Sequence, residues 1–358
     1  SNVRIGVNAG NSIASGGNFN TVVGDEAGTA ITTGDLMTAV GYKALFTEDT
    51  GERSTAVGAY ALTLQNSAVE NYNTAVGYNA GGAVTTGIKN TLVGGLAGDS
   101  LTDADNNTAI GYLALSADTL GSKSTAIGQG TLFAQNFTSA TDAFNTAVGY
   151  LAGTAVTTGT HNTFIGGLAG DANTTGYYNV AVGASALSAN TTAISNTAVG
   201  YASLTANTTG ANNVALGANA LQPNTTGASN TAVGFSALDA NTTGGQNVAV
   251  GDNALGANTT ADYNTALGTS TLQLNTTGVN NVATGAFSLT ANTTGDNNVA
   301  MGYQALKSNT TADNNTAIGD QALEFNTTGA NNVALGALAL DANTTGDDSV
   351  AIGYQALG

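Results

Sequence analysis

A 17-residue repeat runs through this chain and constrains its fold more than any other feature. The segment Asn-Thr-Ala-Val-Gly, or a close variant, occurs 21 times in 358 residues, and from Gly149 onward its glycine recurs every 17 residues without a slip. Periodicity of this kind is typical of a solenoid, in which each repeat stacks on the next. We call the repeated glycine the bend glycine and each repeat a coil.

The spacing of the bend glycines divides the chain into two parts. The first eight intervals are 18, 17, 17, 19, 17, 17, 17 and 21 residues, and the extra residues fall just before the next Asn, as expected for a surface turn. We therefore distinguish residues 1–148, with irregular repeats of 17–21 residues, from residues 149–358, with regular repeats, within one continuous repeat domain. Similar segments beginning at residues 73 and 145 predict that a block of four coils was duplicated.

The repeat predicts an all-β fold, a parallel β-solenoid of about 21 coils. Alternate residues of Asn-Thr-Ala-Val-Gly point to opposite faces of an extended strand. A second short strand is expected at Ala-Leu, as in Ala186 and Leu187, and Asn-Thr-Thr carries the turn residues. A helix is disfavoured because no 3.6-residue apolar stripe is present. Coils stacked about 4.8 Å apart would give a rod of about 100 Å.

Stacking would align equivalent residues in columns along the axis. We expect a core ladder of branched aliphatics, including Val148, Ile165, Val182 and Val199, and a ladder of turn asparagines, including Asn173, Asn190, Asn207 and Asn224. The opposite, small-residue face of Ala and Gly would need cover, which side-by-side packing of several chains supplies. The sequence therefore predicts a homo-oligomer.

The bend glycine is expected where φ is positive or where another backbone comes close. The structural residues predicted to form this bend in the regular part include Gly149, Gly166, Gly183, Gly200, Gly217 and Gly234.

Composition excludes several classes of partner. The formal charge is −17 with only six Lys and Arg residues, so nucleic acid and anionic membranes are disfavoured, since both require cationic side chains. No apolar run reaches the length of a membrane span, and we expect no membrane insertion. The chain has no Cys, which excludes thiolate metal sites.

No motif predicts catalysis or a cofactor. Gly128-Gln129-Gly130 lacks the Gly-Lys-Ser/Thr and the helix of a phosphate loop. The only His, His161, lies in a turn and has no partner for a triad or a metal site. The segments GDNN at 295 and ADNN at 312 offer oxygen ligands for calcium but lack a calcium-loop spacing. We therefore expect no enzymatic activity and assign no catalytic, cofactor or metal residue.

Repeated polar and aromatic residues leave two other readings open. Each Asn-Thr-Thr is formally a glycosylation acceptor, and Asn173, Asn241, Asn326 and Asn343 also follow an acid by two residues. The alternative reading is a turn copied with the repeat. Columns of Thr (Thr191, Thr208, Thr225) or Tyr (Tyr42, Tyr78, Tyr112, Tyr150, Tyr201) would suit a solenoid that binds ice or glycan.

The segments NTAVGYLAG, NVALGANAL and SVAIGYQAL resemble the repeats of trimeric autotransporter adhesin heads and the NTAVGYQAL-type repeats of bacteriophage tail fibres. The resemblance covers essentially the whole chain, although the adhesin-head unit is typically shorter. It implies a left-handed β-roll wound as a homotrimeric rod, without enzymatic activity, in an extracellular fibre of a cell surface or virion. We therefore expect a structural shaft or spacer whose main partner is itself, with any cell-surface glycan or receptor bound through parts outside this chain. The alternative is a ligand-binding β-solenoid.

Overall fold

A computed structural model describes all 358 residues and contains strands, turns and bends but no helix. Accordingly, no helix suited to crossing a membrane is found. The chain forms two compact units, Ser1–Asn179 and Val180–Gly358. The strands of the first unit are β1 (Val3–Ile5), β2 (Thr21–Val23), β3 (Thr38–Val40), β4 (Thr55–Val57), β5 (Thr74–Val76), β6 (Thr91–Val93), β7 (Thr108–Ile110), β8 (Gly121–Ser122), β9 (Thr125–Ile127), β10 (Thr141–Asp142), β11 (Thr146–Val148) and β12 (Thr163–Ile165).

The second unit has one strand in every coil. Its strands are β13 (Val180–Val182), β14 (Thr197–Val199), β15 (Val214–Leu216), β16 (Thr231–Val233), β17 (Val248–Val250), β18 (Thr265–Leu267), β19 (Val282–Thr284), β20 (Val299–Met301), β21 (Thr316–Ile318), β22 (Val333–Leu335) and β23 (Val350–Ile352).

Each unit is a parallel β-solenoid, and the two contain about 21 coils together, which confirms the predicted fold class. Strands of successive coils pair in parallel at equivalent repeat positions, as in Ala198 with Ala215 and Val199 with Leu216. Backbone hydrogen bonds also join successive coils outside the strands, for example from Thr208 N–H to the Thr225 carbonyl at 2.9 Å. In the first unit, β8 and β10 form a second parallel pair beside the longest repeat interval.

The prediction of the core face was wrong. The alanine of each strand faces the interior, and Ala147, Ala181 and Ala198 are fully buried. The branched residues predicted to form the core ladder, Val148, Ile165, Val182 and Val199, point outward instead. In most coils the leucine four residues after the bend and the turn asparagines fill the interior, so the inward strand position has room only for a methyl group. The larger Val22, Leu92 and Phe164 occupy this position where the residue four after the bend is Gly. The small-residue face therefore needs no cover from another chain.

The expected second strand is also absent. Ala186 and Leu187 lie in a turn, and Leu187 has a left-handed backbone with φ of 54°. An extended strand requires negative φ, so the chain at this position turns inward and buries the leucine instead of pairing as a strand.

Side-chain volumes in the interior are complementary and follow a four-coil rhythm in the first unit. The residue four after the bend glycine alternates there between two Gly (Gly10 and Gly28, Gly81 and Gly98, Gly153 and Gly170) and two Leu. Where this residue is Gly, an aliphatic side chain from elsewhere in the interior usually fills the space that the leucine side chain occupies in other coils. For example, a Cβ at Gly28 would lie 2.6 Å from Cδ1 of Ile31. In the coil of Gly170 the space is filled by Phe164, which replaces the strand alanine and is fully buried. The rhythm thus preserves the packing density of a thin core.

The bend glycine meets both predicted conditions. Gly149 has φ of 132° and Gly200 has φ of 130°. A Cβ at Gly149 would lie 2.6 Å from the carbonyl oxygen of Gly166, and one at Gly200 would lie 2.6 Å from that of Gly217. The remaining bend glycines named above, Gly166, Gly183, Gly217 and Gly234, have φ of 133°, 136°, 138° and 138°.

Candidate functional surfaces

The repeated columns of side chains are the candidate functional features. No ligand-sized pocket is present, and no group of three or more His, Cys, Asp or Glu side chains is placed to hold a metal ion. In the segments considered for calcium, Asp296 and Asp313 occupy adjacent coils, and Oδ1 of Asp313 accepts the backbone N–H of Asp296 at 2.7 Å. These acids therefore connect one coil to the next.

The turn asparagines form the predicted amide ladder, but inside the coil. Asn224 donates from Nδ2 to Oδ1 of Asn207 at 2.9 Å and to the carbonyl of Gly227 at 2.9 Å. Sequence reasoning missed a second ladder, built by the asparagine that precedes each strand. Its member Asn213 donates to the same Gly227 carbonyl at 2.9 Å, while Asn230 N–H donates to Oδ1 of Asn213. The ladders give buried polar groups partners within and between coils.

The burial of the turn asparagines bears directly on whether the Asn-Thr-Thr sequences can accept a glycan. Asn173, Asn241 and Asn326 are fully buried, and Nδ2 of each donates a hydrogen bond. A glycan on any of these nitrogens would disrupt the interior of its coil. Asn343 is more exposed, although its Nδ2 donates to Oδ1 of Asn326 at 3.0 Å.

Two adjacent threonine columns differ in exposure. Thr191, Thr208 and Thr225, the column considered for ice or glycan, are half-buried, and Oγ1 of Thr208 donates to the Thr225 carbonyl at 3.0 Å. The following residues, including Thr192 and Thr209, are exposed. The hydroxyls of the first column thus serve axial stacking, and only the second column faces solvent.

Tyrosines of the column considered for carbohydrate stacking are exposed in both units. Tyr42, Tyr78, Tyr112, Tyr150 and Tyr201 lie just after the bend. Most are separated by a coil with a smaller side chain, while Tyr60 bridges Tyr42 and Tyr78 with edge-on contacts at 5.3 and 6.0 Å between ring centroids.

A continuous run of rings lies in a different column, five residues before the bend glycine. Phe144, His161 and Tyr178 occupy successive coils, with centroids 5.1 Å apart at each step. Lys123 precedes them, with Nζ 5.1 Å from the Phe144 centroid and 2.5 Å from Oδ2 of Asp142. We call Lys123, Phe144, His161 and Tyr178 the aromatic strip. The sequence signal was available: the three rings share one repeat position and recur every 17 residues, and only Lys123 lies across the irregular 21-residue interval.

Two buried acids replace turn asparagines in the first unit. Asp118 accepts hydrogen bonds from Gly121 N–H at 3.0 Å and Gln135 Nε2 at 2.6 Å. Glu48 accepts the equivalent hydrogen bonds, from Gly51 N–H at 2.9 Å and from Gln65 Nε2 at 2.7 Å. Burial raises the pKa of the Asp118 carboxyl, and the hydrogen bonds oppose the shift in part. Sequence reasoning did not identify either acid.

The outward face of the strands is free of charge in both units and combines a largely aliphatic column with a column of Thr and Val. It consists of the residues one and three before the bend glycine, which are Val, Ile, Leu, Met or Thr in every coil. Ile165 in the first unit is 40% exposed and Leu216 in the second is 46% exposed. We call these two columns the outward face.

Comparison with known proteins finds no protein-family model and no curated protein that matches this chain.

Proposed function

We propose that this protein is a non-enzymatic, self-associating shaft or spacer of an extracellular fibre, on a cell surface or a virion, and that it assembles as a homotrimer. The outward face is the observation that carries the proposal. In each unit it continues over ten or eleven coils, about 50 Å at the usual spacing of strands. A continuous, uncharged face with an aliphatic column of this length marks an interaction site.

A second copy of the same chain is the partner that fits this face best. The columns repeat with the coil spacing, so an equally periodic surface matches them over their whole length, as symmetric self-association requires. Threonine and branched aliphatics also suit close packing between sheets. The resemblance to adhesin-head and tail-fibre repeats supports a trimer and an extracellular setting.

The assembly is tested by the mass of the full chain in solution and by the double variant Val199→Asp, Val233→Asp. Sedimentation equilibrium is expected to give three chains for the native protein and one for the variant, because each Asp would carry an unpaired charge into the interface. The variant chain should keep its β circular dichroism, since both side chains point outward.

A matched control places the same charges elsewhere on the same coils. Thr209→Asp with Thr243→Asp alters exposed turn positions and should leave the trimer intact. A single-chain mass for the native protein, or equal dissociation by both double variants, would contradict the proposal.

A further inference from the structure

The aromatic strip holds three rings in successive coils, whereas the other rings of its column, Phe19, Tyr72 and Tyr263, have no ring in the adjacent coils. Phe144 is 46% and Tyr178 is 56% exposed, and His161 between them is also exposed. In the second unit the same repeat position holds mainly Ser and Asn, including four successive asparagines at 280, 297, 314 and 331. The fold therefore does not need rings at this position, and the first unit places three in succession on its surface.

The rings also occupy an unfavourable backbone conformation. The φ values are 50° for Phe144 and 57° for both His161 and Tyr178. Asn tolerates this left-handed region, whereas a bulky side chain there is strained. The whole column shares this conformation, with φ of 58° at Ser195 and 57° at Asn280, so Ser or Asn is the less strained choice there. Exposed rings that replace them and bring no core packing point to a binding function.

The geometry of the strip indicates the chemistry of its ligand. Neighbouring rings are tilted by 39° and 53°, so neither covers the whole face of the other, and Tyr177 extends the surface edge-on to Tyr178. Ring faces pack against the C–H faces of pyranose sugars, and the phenol groups and the Asp142 carboxylate can hydrogen-bond hydroxyls. The ammonium of Lys123 is neutralised by Asp142, which disfavours a polyanion.

We propose that the aromatic strip binds a neutral polysaccharide chain laid along the coil axis. One ring per coil presents an extended, regularly spaced platform, which matches a linear sugar polymer better than a compact ligand. This inference is independent of the proposed self-association, because the strip lies outside the two columns of the outward face.

The experiment uses the full chain and its triple variant Phe144→Ser, His161→Ser, Tyr178→Ser. Serine occupies this column at Ser195 and Ser229, so the variant is expected to fold. The probes are immobilised neutral polysaccharides: β-1,4-glucan, β-1,3-glucan, α-mannan and galactan. Retention of the native chain on at least one is expected, with binding at least about tenfold weaker for the variant, as for removal of clustered aromatic anchors.

Tyr263→Ser is the matched control, since Tyr263 occupies the same column in the second unit without a ring in the adjacent coils, and it should bind as the native chain does. Sedimentation of every variant separates this proposal from that of self-association. Absence of retention on all four polysaccharides, or equal retention of the triple variant, would overturn the sugar site. A triple variant that loses subunits and binds no less sugar would identify the strip as a contact between copies.

Discussion

The bend glycine offers the sharpest test of the coil geometry, through the substitution Gly200→Ala. Gly200 has φ of 130°, and an added Cβ would lie 2.6 Å from the carbonyl oxygen and 2.7 Å from the carbonyl carbon of Gly217. Both obstacles are backbone atoms of the next coil, so relief requires the two coils to separate. That movement strains the bond from Gly217 N–H to the Val199 carbonyl, 2.8 Å long.

The expected cost combines two effects of similar size. Residues held in this φ region cost about 1–3 kcal/mol, and overpacking in a close-packed interior costs about 1–3 kcal/mol, so the coil should be destabilised by about 2–6 kcal/mol. Hydrogen exchange is the appropriate assay, because it reports the opening free energy of individual coils even if the solenoid does not unfold in two states. Backbone amides of the coils around Gly200 and Gly217 should exchange faster, by the factor that this loss of opening free energy implies.

Two other glycines separate the two effects. Gly353→Ala meets no atom within 4 Å but has φ of 124°, so it should show the backbone strain alone. Gly167→Ala meets no atom within 4 Å and has no positive φ, so it should change stability by less than about 1 kcal/mol, through the unfolded chain. A cost for Gly200→Ala below about 1 kcal/mol, or no greater than that for Gly167→Ala, would contradict a steric role for the bend glycine.

Three further substitutions test the interior. Phe164→Ala should lower the free energy of unfolding by about 3–5 kcal/mol, because it opens a cavity. Adding Gly170→Leu, which supplies the leucine found at that position in other coils, should restore part of the lost stability. Calorimetry of both variants measures the recovery, and an additive loss would contradict the exchange of volume between the two positions. Asn224→Ala leaves the amide partners on both sides unsatisfied and should cost about 2–5 kcal/mol by denaturant unfolding, whereas a cost below about 0.5 kcal/mol would exclude a ladder role. Because burial raises the folded-state pKa of Asp118, its stabilising contribution is complete below the unfolded pKa of about 3.9 and is lost as pH rises through the folded value. Asp118→Asn should abolish that loss, so the difference in unfolding free energy between the variant and the native chain should grow across this window and then level off; a difference independent of pH would contradict the assignment.

Local sequence was sufficient to predict the solenoid, the bend glycines and the amide ladder of the turn asparagines. These features depend on repeat period and on backbone preference, both of which are read within one or two repeats. The candidate surfaces were predicted less well. The acceptor asparagines were expected in a surface turn and lie inside the coil, while the aromatic strip and the buried acids Glu48 and Asp118 were not identified. Their partners lie one coil away, 17 residues along the sequence, and only the stacking of coils brings them into contact.

The division between inside and outside was settled by tertiary structure. A strand pattern such as Thr197-Ala198-Val199 establishes two faces, and hydrophobicity favours the valine for the core. The closed coil reverses this choice because its opposite walls come so close that the interior admits Ala198, together with the leucine and the asparagines of the turns. The repeat period alone therefore predicts that the chain winds into stacked coils. Only the closed coil places the valine column outward, where another surface can cover it.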